Sequence, residues 1–260
     1  MGNKPNRSIQ SVETTCKIFD VLRRKNGATP TELANNVELS PGTVHTYLAT
    51  LRSEGYVTYN NGLYKLAPPF VTFGEYVRNQ SILYQAAKEE VDRLAKKSEE
   101  AVHLIVEHQG RGIALYEAFG DEAVGSEYHM QLRQKPHQLL HCTASGKAIL
   151  AHLSADRIDE ILDNHGLARV TENTVTDQNK LKEQLAEIRD QGYAINDEEE
   201  MLGVYAVGTA IKDRNGNVLG SIAISAPKSR VNIGESPDDL KDMVVRAGNI
   251  VEVNLQTANL

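Results

Sequence analysis

Residues 29–55 read TPTELANNVELSPGTVHTYLATLRSEG, and the placing of their helix caps decides the fold of the first quarter of the chain. Thr29 is followed by Pro30 and, three positions after the cap, by Glu32. That order is a capping box, in which cap and Glu satisfy each other's free backbone donors, with proline at the first helical position. The short helix it starts carries Leu33 and Val37 inward and ends near Glu38. Ser40-Pro41 opens a second helix with Val44, Tyr47, Leu48 and Leu51 at i, i+3, i+4, i+7 spacing, and Gly55 stops it. A short helix, a tight turn and a second helix make a helix-turn-helix. Its outward face begins with Ser40, Gly42, Thr43, His45 and Thr46, short polar residues suited to base edges in a major groove about 12 Å wide.

The flanks agree. Upstream, Ser11 to Lys25 reads as a helix with Val12, Cys16, Phe19 and Leu22 on one face, ended by Asn26-Gly27. Downstream, Tyr56–Tyr59 and Leu63–Leu66 flank Asn60-Asn61-Gly62, two β-prone runs about a turn. A hairpin directly after the recognition helix is a wing, whose usual partner is the DNA backbone. A protein-interaction module is the alternative.

Pro68-Pro69 marks a boundary, giving a winged helix-turn-helix over 1–67, a linker helix region over 68–100 with a break near Asn79-Gln80, and a larger domain over 101–260. The larger domain mixes elements. Val102, Leu104 and Val106 alternate with His103, Ile105 and Glu107 as a strand, and Gly110-Arg111-Gly112 turns it into Ile113–Tyr116. Helices are expected near Ser145–Leu150, over Asp177–Gln191 and over Pro237–Leu255, and strands near Tyr193–Asn196, Val204–Lys212 and Val218–Ser225. The order predicts an α+β domain. Ala206, Gly208 and Ala210 share one face of the first long strand, and Ser221, Ala223 and Ser225 one face of its partner. Such a floor suits either a small-ligand hollow or a closely packed helix.

The composition of the 260 residues, 40% hydrophobic and 24% charged, is that of a globular protein without a run of the ~20 apolar residues a membrane helix needs. The opening MGNKPNRSIQ has no apolar signal core, so a cytoplasmic location is expected. A net charge of −7 argues against non-specific coating of nucleic acid. Residues 1–75 nonetheless hold eight Lys/Arg against six Asp/Glu, a net +2 that leaves −9 for the remainder. Cys16 and Cys142 form neither a metal-site spacing nor a disulfide framework and read as reduced thiols. No cofactor is expected.

The chain resembles the IclR family of transcription regulators over nearly its whole length. The resemblance rests on Thr43-Val44-His45, Leu48-Ala49-Thr50-Leu51 and Gly55-Tyr56-Val57, then His141-Cys142-Thr143-Ala144-Ser145-Gly146-Lys147-Ala148. It continues through Leu185-Ala186-Glu187-Ile188-Arg189 with Gly192-Tyr193-Ala194, Asp197-Glu198-Glu199 before Gly203, and Ser225-Ala226-Pro227 before Ser229-Arg230. It implies a GAF-like mixed sheet domain that binds a small-molecule effector, a double-stranded DNA operator, and a homodimer or homotetramer controlling catabolism of organic, aromatic or sugar acids. The implied effector site is Thr143, Ala144, Ser145 and Gly146 at a helix start, whose free N–H groups would suit a carboxylate, with Ala206, Ala223 and Ser225 on the floor and Asn196 as an adaptable polar group at the rim. Two departures matter. A Lys and an Arg common around the recognition-helix Thr-Val-His are Pro41 and Thr46 here, which shifts phosphate contacts to Arg7, Arg52 or Lys65. Acid-binding members place Asp, Cys and two Ser where this chain has Asn196, Ala206, Ala223 and Ser225, so the effector should differ from a two- or three-carbon keto acid.

Three other readings compete. His141-Cys142 could be a nucleophile and base, although neighbours in a strand point to opposite faces. His103, His129, His137, His141 and Cys142 could sense a metal, although their spacing matches no standard site. The loss of basic residues at Pro41 and Thr46 could mark a ligand-binding protein that no longer binds DNA.

Overall fold

The computed structural model describes residues 7–123, 139–233 and 237–257, with backbone alone at 232, 233 and 237. They form two compact units divided between Gln80 and Ser81.

The first unit holds α1 (Gln10–Arg24), α2 (Pro30–Val37), α3 (Pro41–Ser53), the hairpin β1 (Val57–Asn60) and β2 (Leu63–Leu66), and α4 (Pro69–Asn79). The Thr29 side chain accepts the Glu32 amide while the Glu32 carboxylate accepts the Thr29 amide at 2.8 Å, completing the capping box. Ser40 caps α3 by accepting the Thr43 amide at 3.1 Å. Ile18, Val21 and Leu22 of α1 close over Leu33 and Val37 of α2 and Val44, Leu48 and Leu51 of α3, with Val57 and Tyr64 from the hairpin. The expected face of α1 is corrected. Apart from Leu22, its buried side is Thr14, Ile18 and Val21; Val12 is 55% exposed and Cys16 is exposed. At 100° per residue, Val12, Cys16 and Phe19 fall nearly opposite that side, and Phe19 is held there by Phe70 and Tyr56, with ring centroids at 4.9 and 6.4 Å. In the wing Asn60 pairs with Leu63, so the turn is Asn61-Gly62 alone, at φ 49° and 83°. Both are left-handed, as a two-residue type I′ hairpin requires.

The second unit begins with α5 (Ile82–Ser98), capped by Ser81. The linker helix region is thus two helices, and the break falls where it was expected, just after Asn79. Leu83, Ala87, Val91 and Leu94 of α5 lie in the core of the second unit, which therefore starts before residue 101. Strands β3 (Ala101–His108), β4 (Arg111–Phe119), β5 (Ala194–Asp197), β6 (Val204–Lys212) and β7 (Val218–Pro227) form one sheet in the order β4-β3-β7-β6-β5. Every pairing is antiparallel. The β3–β4 turn is Gln109-Gly110, both at positive φ, so β4 begins at Arg111, earlier than the expected Ile113.

Helices cover both faces, which explains why both faces of β3 are buried over Ala101–Ile105 where a half-buried alternation was expected. On one face Val102, Val207 and Ile224 meet α5 and α10 (Pro237–Thr257). On the other lie a 3-10 turn (Leu140–Cys142), α6 (Ala144–Leu150), α7 (Ala155–His165) and α8 (Gln178–Gln191), packed through Leu140, Ala148, Ile161, Leu181, Leu185 and Ala194. Two helices were not expected from the sequence: α7, capped by Ser154, and α9 (Lys228–Ile233).

Candidate functional site

In the first unit the surface of α3 opposite its buried stripe carries Gly42, Thr46, Ala49 and Ser53, all exposed. Thr43 and His45 are exposed on its two flanks. Several hydroxyls are already engaged. Thr43 Oγ1 lies 2.9 Å from Ser40 Oγ, and Thr46 donates to the Gly42 carbonyl at 3.2 Å, which directs both back onto their own helix. His45 is exposed and no bond holds it to the helix among those found in the described residues. Arg52, in the last turn of α3, sits 6.0 Å from the centre of the Tyr59 ring on the wing, joining helix and hairpin in one exposed surface. Lys65 is exposed on β2 with its aliphatic stem beside Gly27, away from the Asn61-Gly62 tip. The wing is anchored by Ala28 and Tyr64, which exchange backbone hydrogen bonds at 3.0 and 2.9 Å.

In the second unit the strand register gathers the expected effector residues on one face of the sheet. Asn196, Ala206 and Ser225 stand side by side across β5, β6 and β7, and the row continues to Ala101 on β3. The next row is Ala194, Gly208, Ala223, His103 and Glu117. Over these small residues lies α6. A Cβ placed on Gly208 would come within 3.0–3.1 Å of the backbone of Ala144 and Ser145. The small-residue floor is therefore first a seat for a helix, and the open hollow expected there is narrowed at Gly208 by α6 itself. Seven of the eight expected residues are buried; Ser225 is half-buried.

Two expected roles are corrected. The amides at the start of α6 are not all free: Thr143 Oγ1 accepts the Gly146 amide at 3.0 Å, and Gly146 faces the backbone of Leu140, not the sheet. Asn196 is not an exposed rim group. It is 1% exposed, and its Oδ1 accepts the amide of Glu199 at 2.8 Å, with that of Glu200 at 3.4 Å, fixing the turn after β5.

The same region holds groups to which the sequence reading assigned no such role. Lys147 and Glu199, 3% and 7% exposed, form a buried ion pair between α6 and that turn. Burial pushes the Glu199 carboxyl above its ordinary value, against the pull of Lys147. Thr171 and Thr174 hydroxyls reach the Glu198 and Glu199 carbonyls at 2.7 Å. His103 Nδ1 lies 2.8 Å from Glu117 Oε1, both side chains buried. A lysine within Ala144–Leu150, otherwise small or apolar, was the available signal for the first pair, because a buried ammonium needs a carboxylate.

The competing constellations come apart. Burial and the nearby carboxylates push the Cys142 thiol up to about 12, the reverse of an activated thiolate. His141 Nε2 lies 3.1 Å from the Ala168 carbonyl. Burial lowers the pKa of this imidazole. Of the proposed metal ligands, His129 and His137 lie outside the described residues, and no group of three His, Cys, Asp or Glu able to hold a metal occurs among those described. No helix among the described residues is long and apolar enough to cross a membrane.

Comparison with known proteins accounts for both units. Residues 11–61 match the IclR helix-turn-helix domain, and residues 74–251 match the bacterial transcriptional regulator IclR C-terminal domain. The chain is 39% identical over 258 residues to a Halobacterium salinarum protein described as "Probable HTH-type transcriptional regulator ArcR", covering 99% of this chain and 98% of that one. It is 28% identical to the transcriptional repressor IclR of Escherichia coli, over 94% of this chain and 89% of the repressor. Thermotoga maritima IclR has the same fold, with a TM-score of 0.71 at 24% identity over 95% of this chain and 99% of that one. An IclR homolog of Microbacterium hydrocarbonoxydans, solved with 4-hydroxybenzoate, aligns with a TM-score of 0.77 at 21% identity over 95% and 98%. With one family model spanning more than half of its length and a relative of 39% identity along nearly all of it, the chain belongs to the IclR family of DNA-binding transcription regulators.

Proposed function

We propose that this regulator controls genes for catabolism of a small organic, aromatic or sugar acid, and that it does so from the cytoplasm. The first unit reads a double-stranded operator through Ser40, Gly42, Thr43, His45 and Thr46, with Arg52 and Lys65 on phosphates. The second binds the acid over the sheet face formed by Asn196, Ala206, Ala223 and Ser225 beside Thr143–Gly146. The observation that carries the effector site is the register: four residues from three strands stand in two adjacent rows of one face, beside the start of α6. Support for a carboxylate comes from the relative whose structure holds 4-hydroxybenzoate.

The working form is a homodimer or homotetramer. Exposed Val71, Phe73, Tyr76 and Val77 of α4 give a second copy an apolar surface to cover, and paired helix-turn-helix units read paired half-sites. The deciding experiment measures operator affinity with and without a panel of small carboxylates, for wild type and Ala223→Leu. Leucine on the floor should abolish the response to the acid and leave DNA binding intact, since two sites in separate units are linked only by coupling free energy. A variant that responds like wild type removes this sheet face from the effector site.

A further inference from the structure

Lys147 and Glu199 leave hydrogen-bonding capacity unused inside the protein. The Lys147 ammonium carries three donors, and the one acceptor found for it among the described residues is Glu199 Oε1. Glu199 Oε2 is buried and accepts no hydrogen bond, although an unsatisfied buried acceptor is costly. The residue that carries this carboxylate is fixed at its backbone. Its own amide is held by Asn196 Oδ1 at 2.8 Å and its carbonyl by the Thr174 hydroxyl at 2.7 Å. Because Asn196 pairs with Ala206 in the row that runs on to Ser225, this pair stands at the β5 end of the small-residue floor.

We propose that Lys147 and Glu199 are a polar anchor of the effector site that reads a hydroxyl group, so that the regulator selects hydroxylated carboxylates over their deoxy counterparts. A hydroxyl is the group that suits both halves: it donates to Glu199 Oε2 and accepts from the spare Lys147 donors. A methylene satisfies neither and leaves both buried groups as they were. Discrimination of this kind is steep, because a site built to hydrogen-bond a hydroxyl is penalised when the ligand lacks one. The anchor rests on the reading of the sheet face as the effector site, and the test separates the two.

Full-length protein is titrated calorimetrically with length-matched acids: lactate against propionate, gluconate against hexanoate, and 4-hydroxybenzoate against benzoate. Wild type should bind at least one hydroxylated member about ten- to a hundredfold tighter than its deoxy partner, the range of a hydrogen bond to a charged group. The double variant Lys147→Met/Glu199→Met removes the pair without stranding a buried charge. It should bring that ratio close to one while deoxy binding changes little. Glu199→Gln supplies a second measurement, expected to lower the ratio about tenfold, if the double variant does not fold by circular dichroism. Equal binding of both members of every pair, or a ratio unchanged in both variants, overturns the anchor. If Ala223→Leu still loses both acids in that case, the sheet-face site stands without it. Binding that Ala223→Leu leaves untouched overturns the site itself, and wild type that binds no acid overturns both.

Discussion

Gly146→Ala sets helix propensity against a collision. Alanine within a helix is favoured over glycine by about 0.5–1 kcal/mol, so propensity alone predicts a more stable protein. At Gly146, however, the new Cβ would lie 2.2 Å from the Leu140 carbonyl oxygen, 2.4 Å from its Cα and 2.6 Å from its carbonyl carbon. All three are backbone atoms, so no rotamer change makes room. Restoring ordinary van der Waals distances needs a shift of roughly 1 Å or more between the 3-10 turn and α6. Overpacking of this kind costs about 1–3 kcal/mol, and more when backbone must move, which outweighs the propensity gain. The expected net loss is about 2 kcal/mol, a fall of about 4–8 °C in the midpoint of a unit of this size.

Gly74, on α4, is the control, since a Cβ there meets nothing within 4 Å. Gly74→Ala should be neutral or stabilise by up to about 1 kcal/mol. Two units can unfold separately, so the assay pairs thermal circular dichroism with peptide-resolved hydrogen exchange. Protection of α6 and α8 should drop in Gly146→Ala, while that of α1–α3 stays as in wild type. A Gly146→Ala protein with a second-unit midpoint at or above wild type would refute the close passage of α6 over Leu140.

Replacing Thr43 and His45 by Ala should lower discrimination between operator and random DNA without changing the melting profile; undiminished specificity in a gel-shift competition would mean that another surface reads the bases. Neutralising Arg52 and Lys65 should weaken binding to all sequences. It should also flatten the plot of log affinity against log salt by about one for each phosphate left without its cation, and an unchanged slope would place both residues off the DNA. Burial holds His141 and His152 below their ordinary 6.5, so the unfolded chain binds more protons than the folded one as pH falls from 6.5 toward the folded values. Stability they contribute is complete above 6.5 and is lost below it. The urea midpoint should therefore drop between pH 7.5 and 5.5, and less so in His141→Gln; parallel slopes would rule out His141 as a source.

Local chemistry carried the first unit almost unaided. Thr29-Pro30-Thr31-Glu32, Ser40-Pro41 and Asn61-Gly62 act within a few residues of themselves, through caps and left-handed turns that need no distant partner, so their positions were legible in the chain. Long alternating runs placed β6 at its observed bounds, and Asp177 with Leu181, Leu185 and Ile188 placed α8 to within one residue. The face of α1 was not legible, because the helix carries two apolar strips and only packing chooses between them. Nor was the use of the small-residue face, which suited a hollow and a seated helix equally until α6 came to rest on Gly208. Asn196 looked like a free polar group because its partners, the amides of Glu199 and Glu200, are offered only once the turn after β5 has closed. The pairing of Lys147 with Glu199 across 52 residues was decided by tertiary structure alone. Burial made that pairing necessary, since an ammonium removed from water requires a counter-charge, and the sequence records the charges without recording which of them will be buried together.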